Sequence, residues 1–181
     1  MAHCELIPVD IVALVEDQAS ANPIVVLHDR SSNRLLPIWI GDNEARAISM
    51  ALNHMKSPRP LTHALIIRMI ESLGGKLLRA VVDRVKRHTY YASLSIEIQG
   101  NIVAVDARPS DAIALALEAK VPILVAKEVM LTAGQENPFP EMALRQEKRQ
   151  MTEEDFKKMK NLLEKARERE QASGGSDAEN I

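Results

Sequence analysis

Two short segments of this sequence repeat one pattern, and each follows a predicted strand and a turn. Residues 44–48 read acid, alanine, variable residue, alanine, aliphatic residue, and residues 111–115 read the same. A five-residue match alone carries little information. The order of predicted strands and helices around the two segments is also the same, however, and duplication explains both observations together. The repeat therefore predicts a fold built from two related halves.

Hydrophobic periodicity and turn signals assign the elements of the first half. Runs rich in β-branched and aliphatic residues predict three strands, over residues 7–16, 23–29 and 35–40. Apolar residues at helical spacing then predict a helix from residue 44 with Asp42 as its N-cap. A second helix is predicted to start with Thr62 as its cap and to end at Gly74.

The second half repeats this order. Its predicted elements are strands over residues 76–87, 90–99 and 102–107, a helix over 109–119, a short strand over 121–126 and a helical turn over 127–133. The sequence thus predicts an α+β fold of duplicated β-β-β-α units, with a mixed or antiparallel sheet and helices, followed by a charged C-terminal helix.

The composition changes after Gly134. Residues 135–140 read as a linker, and an apolar stripe then follows on a charged helix, formed by Phe156, Met159, Leu162, Leu163 and Ala166. We expect this stripe to dock on the domain or on another subunit, and the chain after residue 173 to be disordered. The predicted division is a domain over residues 1–134 and a linker, helix and tail over residues 135–181.

Composition argues against several classes of protein. The formal net charge is −2, so the chain as a whole is not a polycation for nucleic acid, although a locally basic surface remains open. One cysteine cannot form an internal disulfide. No apolar run approaches the roughly 18 residues of a membrane span, and a cytoplasmic location is expected. Aromatic residues are 3% of the chain, which argues against base-stacking platforms of the single-strand-binding type.

Polar residues are densest at the junction between the last strand of the second half and its helix. Asp106, Arg108, Ser110 and Asp111 lie where the start of a helix attracts anions. The two carboxylates could hold a divalent cation such as Mg²⁺ or Mn²⁺. Arg108 could bind a phosphate through two hydrogen bonds. The alternative is structural, because an acid in a first turn stabilises the helix and Arg108 could simply pair with either aspartate.

Two further candidates lie in the first half. Glu44 occupies, in the other copy of the repeat, the place of Asp111. His63 stands at the predicted start of the second helix, where its imidazole could act as a general base or ligand near neutral pH. Either residue could instead be only a polar side chain at a helix start. Trp39, the only tryptophan, lies among aliphatic residues of a strand and is predicted to be in a core or an interface.

Three segments resemble a known family. They read Leu-Pro-Ile-Trp-Ile-Gly at residues 36–41 with Glu-Ala at 44–45, Arg-Pro-Leu-Thr-His at 59–63, and Val-Asp-Ala-Arg-Pro-Ser-Asp-Ala-Ile-Ala at 105–114. In this order and spacing they resemble the bifunctional nuclease family, over about residues 5–134. The last run is long enough to be specific. The segment after Gly134 lies outside the resemblance.

The resemblance implies a nuclease that hydrolyses phosphodiester bonds of RNA, DNA or both, and it implies a homo-oligomer. The carboxylates of Asp106, Asp111 and also Glu44 could hold Mg²⁺ or Mn²⁺ to assist this reaction. The family's polar motif positions make five residues the candidate catalytic groups: Asp106, Arg108, Asp111, Glu44 and His63. Asp106 and Asp111 are the candidate metal ligands. The alternative is a non-enzymatic assembly, regulatory or phosphate-binding module. In the assembly and regulatory forms of this alternative, no cleft would join the polar residues.

Overall fold

The computed structural model describes residues 5–17, 20–55, 57–138 and 153–173, with the side chains of the last segment described for residues 157–168. The strands are β1 (Leu6–Glu16), β2 (Pro23–Asp29), β3 (Arg34–Trp39), β4 (Gly75–Lys86), β5 (Thr89–Ile98), β6 (Asn101–Ala107), β7 (Ile123–Ala126) and β8 (Gln135–Glu136). The helices are α1 (Asp42–Leu52), α2 (Thr62–Ser72), α3 (Pro109–Ala119), α4 (Lys127–Ala133) and α5 (Glu153–Ser173). The predicted disorder after residue 173 lies outside the described residues. No helix in the described ranges is long and apolar enough to cross a membrane.

The strands form one sheet in the order β6-β5-β4-β7-β1-β2-β3-β8. Strands β1 to β3 form one antiparallel meander and β4 to β6 form another, with β7 between them. β7 is antiparallel to β1 and parallel to β4, so β1 and β4 run in opposite directions. Outward from β7 the order is β1-β2-β3 on one side and β4-β5-β6 on the other, as an approximate twofold relation requires. The predicted α+β class of duplicated units and its mixed sheet are confirmed.

The main hydrophobic core lies between one face of the sheet and the helices α1 to α4. Those helices contribute Ile48, Ile67, Ile113 and Met130, among other residues, to a buried cluster that includes residues of both meanders. α3 is buried along most of its length, and it contacts α1, α2, β4 and β5. It is therefore the central helix of the layer, and its N-terminus lies among elements from both halves.

Helix α5 packs on the opposite face of the first meander. Its Met159, Leu162 and Leu163 form a second buried cluster with Ile24 and Val26 of β2 and Leu35 of β3. β2 is thus buried on both faces, which explains its nearly continuous apolar run. The sequence predicted that the apolar stripe docks either on the domain or on another subunit. In the structure, the described residues of the stripe pack on the sheet of the same chain. The side chain of Phe156 lies outside the described residues.

Both predicted helix caps are wrong by one residue. The N-caps of α1 and α2 are Gly41 and Leu61, neither makes a side-chain capping hydrogen bond, and Asp42 and Thr62 are the first residues inside the helices. At α1 the carboxylate of Glu44 folds back over the N-cap Gly41. A Cβ on residue 41 would meet that carboxylate, so an alanine there would displace the flexible end of the Glu44 side chain.

Candidate active site

α1 and α3 are equivalent helices of the two halves, and their N-termini meet. The N-caps are Gly41 and Arg108, and the third residue inside each helix is an acid, Glu44 or Asp111. Pro109 is the first residue of α3, and a residue before proline favours extended backbone, as Arg108 shows with φ −69° and ψ 147°. Because α1 and α3 pack against each other, the two acidic first turns lie side by side.

The guanidinium of Arg108 joins the two acids. Its Nε donates to Oδ2 of Asp111 at 2.7 Å, and its Nη2 lies 3.2 Å from Oδ1 of the same carboxylate. The same Nη2 is 2.8 Å from Oε1 of Glu44. The two carboxylate side chains are largely shielded, whereas the side chain of Arg108 is 66% exposed. One cation therefore pairs with a carboxylate from each half, so that the three charges sum to −1, and the cation still faces solvent.

The histidine of the first half completes the cluster. His63 lies in the first turn of α2, and its Nε2 is 3.3 Å from Oδ1 of Asp111. α2 packs against α3, which carries the imidazole to this carboxylate. Asp111 thus contacts an arginine on one side and a histidine on the other. Four of the five predicted catalytic residues are close neighbours: Glu44, His63, Arg108 and Asp111.

These contacts shift the pKa of two groups. Burial by itself would raise the pKa of Asp111, but hydrogen bonds from Arg108 and His63, together with their charges, outweigh burial and lower it. The hydrogen bond and charge of Asp111, followed by those of Glu44, raise the pKa of Arg108. A lowered pKa means that ionised Asp111 stabilises the folded state above the ordinary aspartate pKa. That contribution is lost as the pH falls through the folded-state value.

Asp106 lies apart from the cluster. It is exposed on β6 and pairs with Ser93 of β5. Ala92 and Leu94, the neighbours of Ser93 in β5, are buried in the main core under the helices. Side chains alternate along a strand and cross-strand partners share a face, so Asp106 projects from the opposite face of the sheet. The structure does not bring Asp106 to Asp111, and a catalytic role for Asp106 stays a prediction.

The donor set does not fit a pre-formed cation site. The carboxylates of Glu44 and Asp111 are both paired with Arg108, so a divalent ion would have to compete with a guanidinium. No group of three histidine, cysteine, aspartate or glutamate side chains suited to a metal occurs within the described part of the chain. The expected Mg²⁺ or Mn²⁺ dependence therefore stays a prediction, with no pair of ligands assembled for it.

A cleft of about 460 Å³ adjoins Arg108. Its walls come from the end of β3, the turn between β4 and β5, the start of α3 and the turn before β2. The lining residues are Asn22, Ile38, Trp39, Ile40, Gly41, His88, Thr89, Tyr90, Arg108, Pro109 and Ser110. Trp39, predicted to lie in a core or an interface, packs against the second cluster and also lines this cleft.

The sequence prediction of the site did not include the N-cap Gly41 or the β4–β5 turn. Gly41 stands three residues before Glu44, as Arg108 stands three before Asp111, so the repeat itself contains the signal that marks it. His88 and Tyr90 reach the cleft through the β4–β5 turn, where Arg87 and His88 both have positive φ values. No local pattern in the sequence indicates that this turn meets the start of α3.

The fold and the cluster define a class of protein. It is a duplicated α+β domain in which adjacent helix N-termini carry an ion-paired site of histidine, carboxylates and arginine. Residues 25–138, more than half of the chain, match the family described as the bifunctional nuclease domain. The chain belongs to this family. The family resemblance of the three sequence segments is therefore confirmed.

Relatives range from bacterial to plant proteins. An uncharacterized protein of Mycobacterium tuberculosis is 38% identical over 126 residues, which cover 70% of this chain and 75% of the relative. Bifunctional nuclease 1 of Oryza sativa subsp. japonica is 29% identical over 126 residues, 68% of this chain and 38% of the relative. Bifunctional nuclease 1 of Arabidopsis thaliana is 28% identical over 121 residues, 65% of this chain and 37% of the relative. The chain thus spans little more than a third of these plant nucleases.

The steric role of Gly41 can be tested with Gly41→Ala. The backbone there (φ −85°, ψ 165°) suits alanine, so we expect a folded protein whose Glu44 carboxylate is displaced from Arg108. A crystal structure of the variant should show the Glu44–Arg108 ion pair broken while the Arg108–Asp111 pair persists. Glu44→Gln, which keeps the side chain and removes its charge, is the matched comparison. An unchanged Glu44–Arg108 distance in Gly41→Ala would contradict the steric role.

Proposed function

We propose that this chain is a phosphodiesterase acting on RNA, DNA or both, with its reaction centre at His63, Asp111 and Arg108. The observation that carries the proposal is the shared carboxylate of Asp111, which contacts the imidazole and the guanidinium at once. A base beside an anion-binding group is what hydrolysis of a phosphodiester requires. The plant relatives named as nucleases support the same reaction class.

Arg108 would bind the phosphate. Its Nε and Nη2 are engaged with the two carboxylates, and none of the hydrogen bonds among the described residues uses Nη1. A guanidinium has five N–H groups, so the two on Nη1 remain for a ligand. The exposed position of the side chain lets a phosphate approach. Held in place by Glu44 and Asp111, Arg108 would offer a fixed positive charge where negative charge builds up on the phosphate oxygens.

His63 would move the proton. With Nε2–H donating to Asp111, Nδ1 of the imidazole is the basic nitrogen, and no hydrogen bond to it occurs within the described residues. Asp111 would orient the ring and stabilise the imidazolium, in the manner of other carboxylate–histidine pairs. His63 could then take a proton from an attacking water and return one to the leaving oxygen. A divalent cation, if recruited, would polarise the phosphate, and the two paired carboxylates show no place built for it.

One observation favours a second candidate, a phosphate-binding module without cleavage. Both carboxylates of the cluster are satisfied by Arg108, and such a pairing can serve simply to hold three helix starts together. In that case Arg108 would bind anions through its free edge, and His63 would contribute only a contact to Asp111. Turnover, rather than binding, separates the two candidates.

We also propose that the chain forms a homo-oligomer through the outer face of α2. Leu61, Leu65, Met69 and Leu73 recur every four residues along α2 and its two ends, and their exposed fractions range from 49% to 79%. Residues at this spacing form one continuous stripe on a helix. Contiguous apolar surface of this kind is typical of a binding face.

The stripe can pair with its own copy, which favours a second copy of the chain as the occupant. With the two α2 helices antiparallel and a twofold axis at Met69, Leu65 would face Leu73 of the second copy. Exposed apolar residues of both copies would then cover one another around the axis.

The hydrolytic proposal predicts which variants lose activity. His63→Gln and Arg108→Lys should each lower turnover of single-stranded RNA or DNA by about 100-fold or more, because general acid–base catalysis and a fixed charge at the phosphate each contribute at that scale. The assay should be run with Mg²⁺, with Mn²⁺ and with chelator, on proteins shown to be folded and free of contaminating nuclease. The chelator arm decides the predicted metal dependence.

The surface ion pair between Asp10 and Arg30 supplies matched controls. Arg30→Lys and Asp10→Asn make the same kinds of change in an exposed pair remote in sequence from the cluster, and both should keep full activity. Asp106→Asn decides whether the separate carboxylate takes part. Full activity in His63→Gln and Arg108→Lys, or none in the wild type, would overturn the hydrolytic proposal. Binding of inorganic phosphate without turnover would establish the second candidate.

Self-association can be tested by placing charges in the stripe. Leu65→Lys and Leu73→Glu should each weaken the oligomer several-fold by burying an unpaired charge, and the double variant should recover part of the loss because the two positions face each other across the axis. Sedimentation equilibrium gives the three dissociation constants. Leu131→Lys, at an exposed leucine of α4 outside the stripe, should not change association. A monomeric wild type, or a double variant no better than the singles, would contradict this interface.

A further inference from the structure

The charge of the reaction centre does not by itself attract a nucleic acid strand. Arg108 carries one positive charge and the carboxylates of Glu44 and Asp111 carry two negative charges, so these three side chains sum to −1. RNA and DNA are polyanions, and proteins hold them largely through lysine and arginine side chains that neutralise phosphates. A strand that reaches Arg108 therefore needs cations from another part of the chain.

The hairpin of β4 and β5 carries cations at the rim of the cleft. Arg84, Lys86 and Arg87 lie close together in sequence, and all three are exposed. The next residue, His88, lines the cleft together with Arg108. The tip of the hairpin therefore brings positive charge to the cleft that Arg108 adjoins.

We propose that Lys86 and Arg87 bind the phosphate backbone of an RNA or DNA strand, next to the phosphate that Arg108 holds. This second phosphate site deepens the hydrolytic function and rests on it for the position of the strand. Its contribution to binding can be measured without turnover. Contacts to phosphates position a strand and do not read its sequence, so the site would serve strands of any sequence.

Lys86 and Arg87 are available for a ligand. Neither takes part in an ion pair within the described residues. Asp83 is the only acid over residues 83–96, and it lies 3.7 Å from Arg84. A phosphate at Lys86 and Arg87 therefore displaces water and counterions and breaks no ion pair.

The backbone of this turn supports a role for its side chains. Arg87 and His88 form the two-residue turn, with φ values of 44° and 64°. A hairpin turn with positive φ at both residues usually carries Asn-Gly or a similar pair, because other side chains are strained there. The β5–β6 turn has the glycine in its second position, Gly100. The β4–β5 turn instead keeps an arginine and a histidine at a cost in stability, as residues at binding sites often do.

The second phosphate site distinguishes strands from small diesters. A strand that spans Arg108 and the hairpin gains affinity from both, whereas a diester with a single phosphate gains affinity only from Arg108. Arg87→Asn should therefore raise KM for a single strand and leave kcat/KM for bis(4-nitrophenyl) phosphate unchanged. Equal losses on the two substrates would contradict the second site.

Arg87→Asn and Lys120→Asn form a matched pair of variants. Each removes one exposed cation at a residue with positive φ, Arg87 in the hairpin and Lys120 at the C-terminal end of α3, the end opposite Arg108. Asparagine suits this backbone better than arginine or lysine does, so both variants should unfold at or above the wild-type temperature. A loss of binding in Arg87→Asn alone then cannot result from loss of the fold.

Fluorescence anisotropy with a labelled single-stranded oligouridylate measures binding, on full chains that carry His63→Gln so that the strand stays intact. Arg87→Asn should weaken binding about threefold or more, and it should lower the slope of log affinity against log salt concentration by about 0.7, the value for one phosphate contact of a single strand. Lys86→Gln should do the same. Lys120→Asn should change neither quantity, and Arg87→Lys, which keeps the charge, should retain most of the affinity.

The outcomes separate this inference from the hydrolytic proposal. No binding of the oligouridylate, equal losses in Arg87→Asn and Lys120→Asn, or an unchanged salt slope in both hairpin variants would overturn the second phosphate site, whatever the nuclease assay shows. Binding that depends on Arg87 without turnover would keep the site and remove the hydrolytic role. Polyglutamate that competes as well as the strand would assign the hairpin to acidic proteins and overturn the assignment to nucleic acid.

Discussion

The guanidinium of Arg108 holds together three helices that are distant in sequence. It pairs with Glu44 of α1 and with Asp111 of α3, and Asp111 in turn contacts His63 of α2. Without it, two partly buried carboxylates from adjacent helix starts would repel each other in a place where water screens them poorly. The lowered pKa of Asp111 and one wall of the cleft depend on this side chain, and His63 contacts the same carboxylate.

Duplication explains why such a cluster exists. The approximate twofold arrangement of the sheet places the first turns of α1 and α3 beside each other, and both copies of the repeat carry an acid at the third helical position. Duplication therefore places two negative charges, on Glu44 and Asp111, next to each other. The copies then differ at the N-cap, where one half has Gly41 and the other has Arg108. The glycine leaves room for the Glu44 carboxylate, and the arginine supplies the charge that both acids need.

Much of the fold could be predicted from the sequence because local signals are strong where the elements begin and end. The span of α3, Pro109–Ala119, is the predicted one, and the two-half order of strands followed from the repeat. The caps at Asp42 and Thr62 were misplaced because Gly41 and Leu61 have no capping side chain to mark them. Asp106 was grouped with Asp111 on the basis of sequence proximity, yet one residue along a strand decides the face of the sheet. The cleft depends on the contact of the β4–β5 turn with the start of α3, which only the tertiary structure shows.

The measurement that tests the central interaction most directly is an NMR titration of the Asp111 carboxyl carbon in the wild type and in Arg108→Gln. With Arg108 in place, the pKa of Asp111 should lie below the ordinary aspartate range, since the guanidinium and His63 outweigh burial. Without the guanidinium, burial should raise the pKa clearly above its wild-type value. Arg30→Gln, which removes a surface arginine, should leave the pKa of Asp111 unchanged. The same pKa in the wild type and in Arg108→Gln would show that Arg108 does not hold the cluster together.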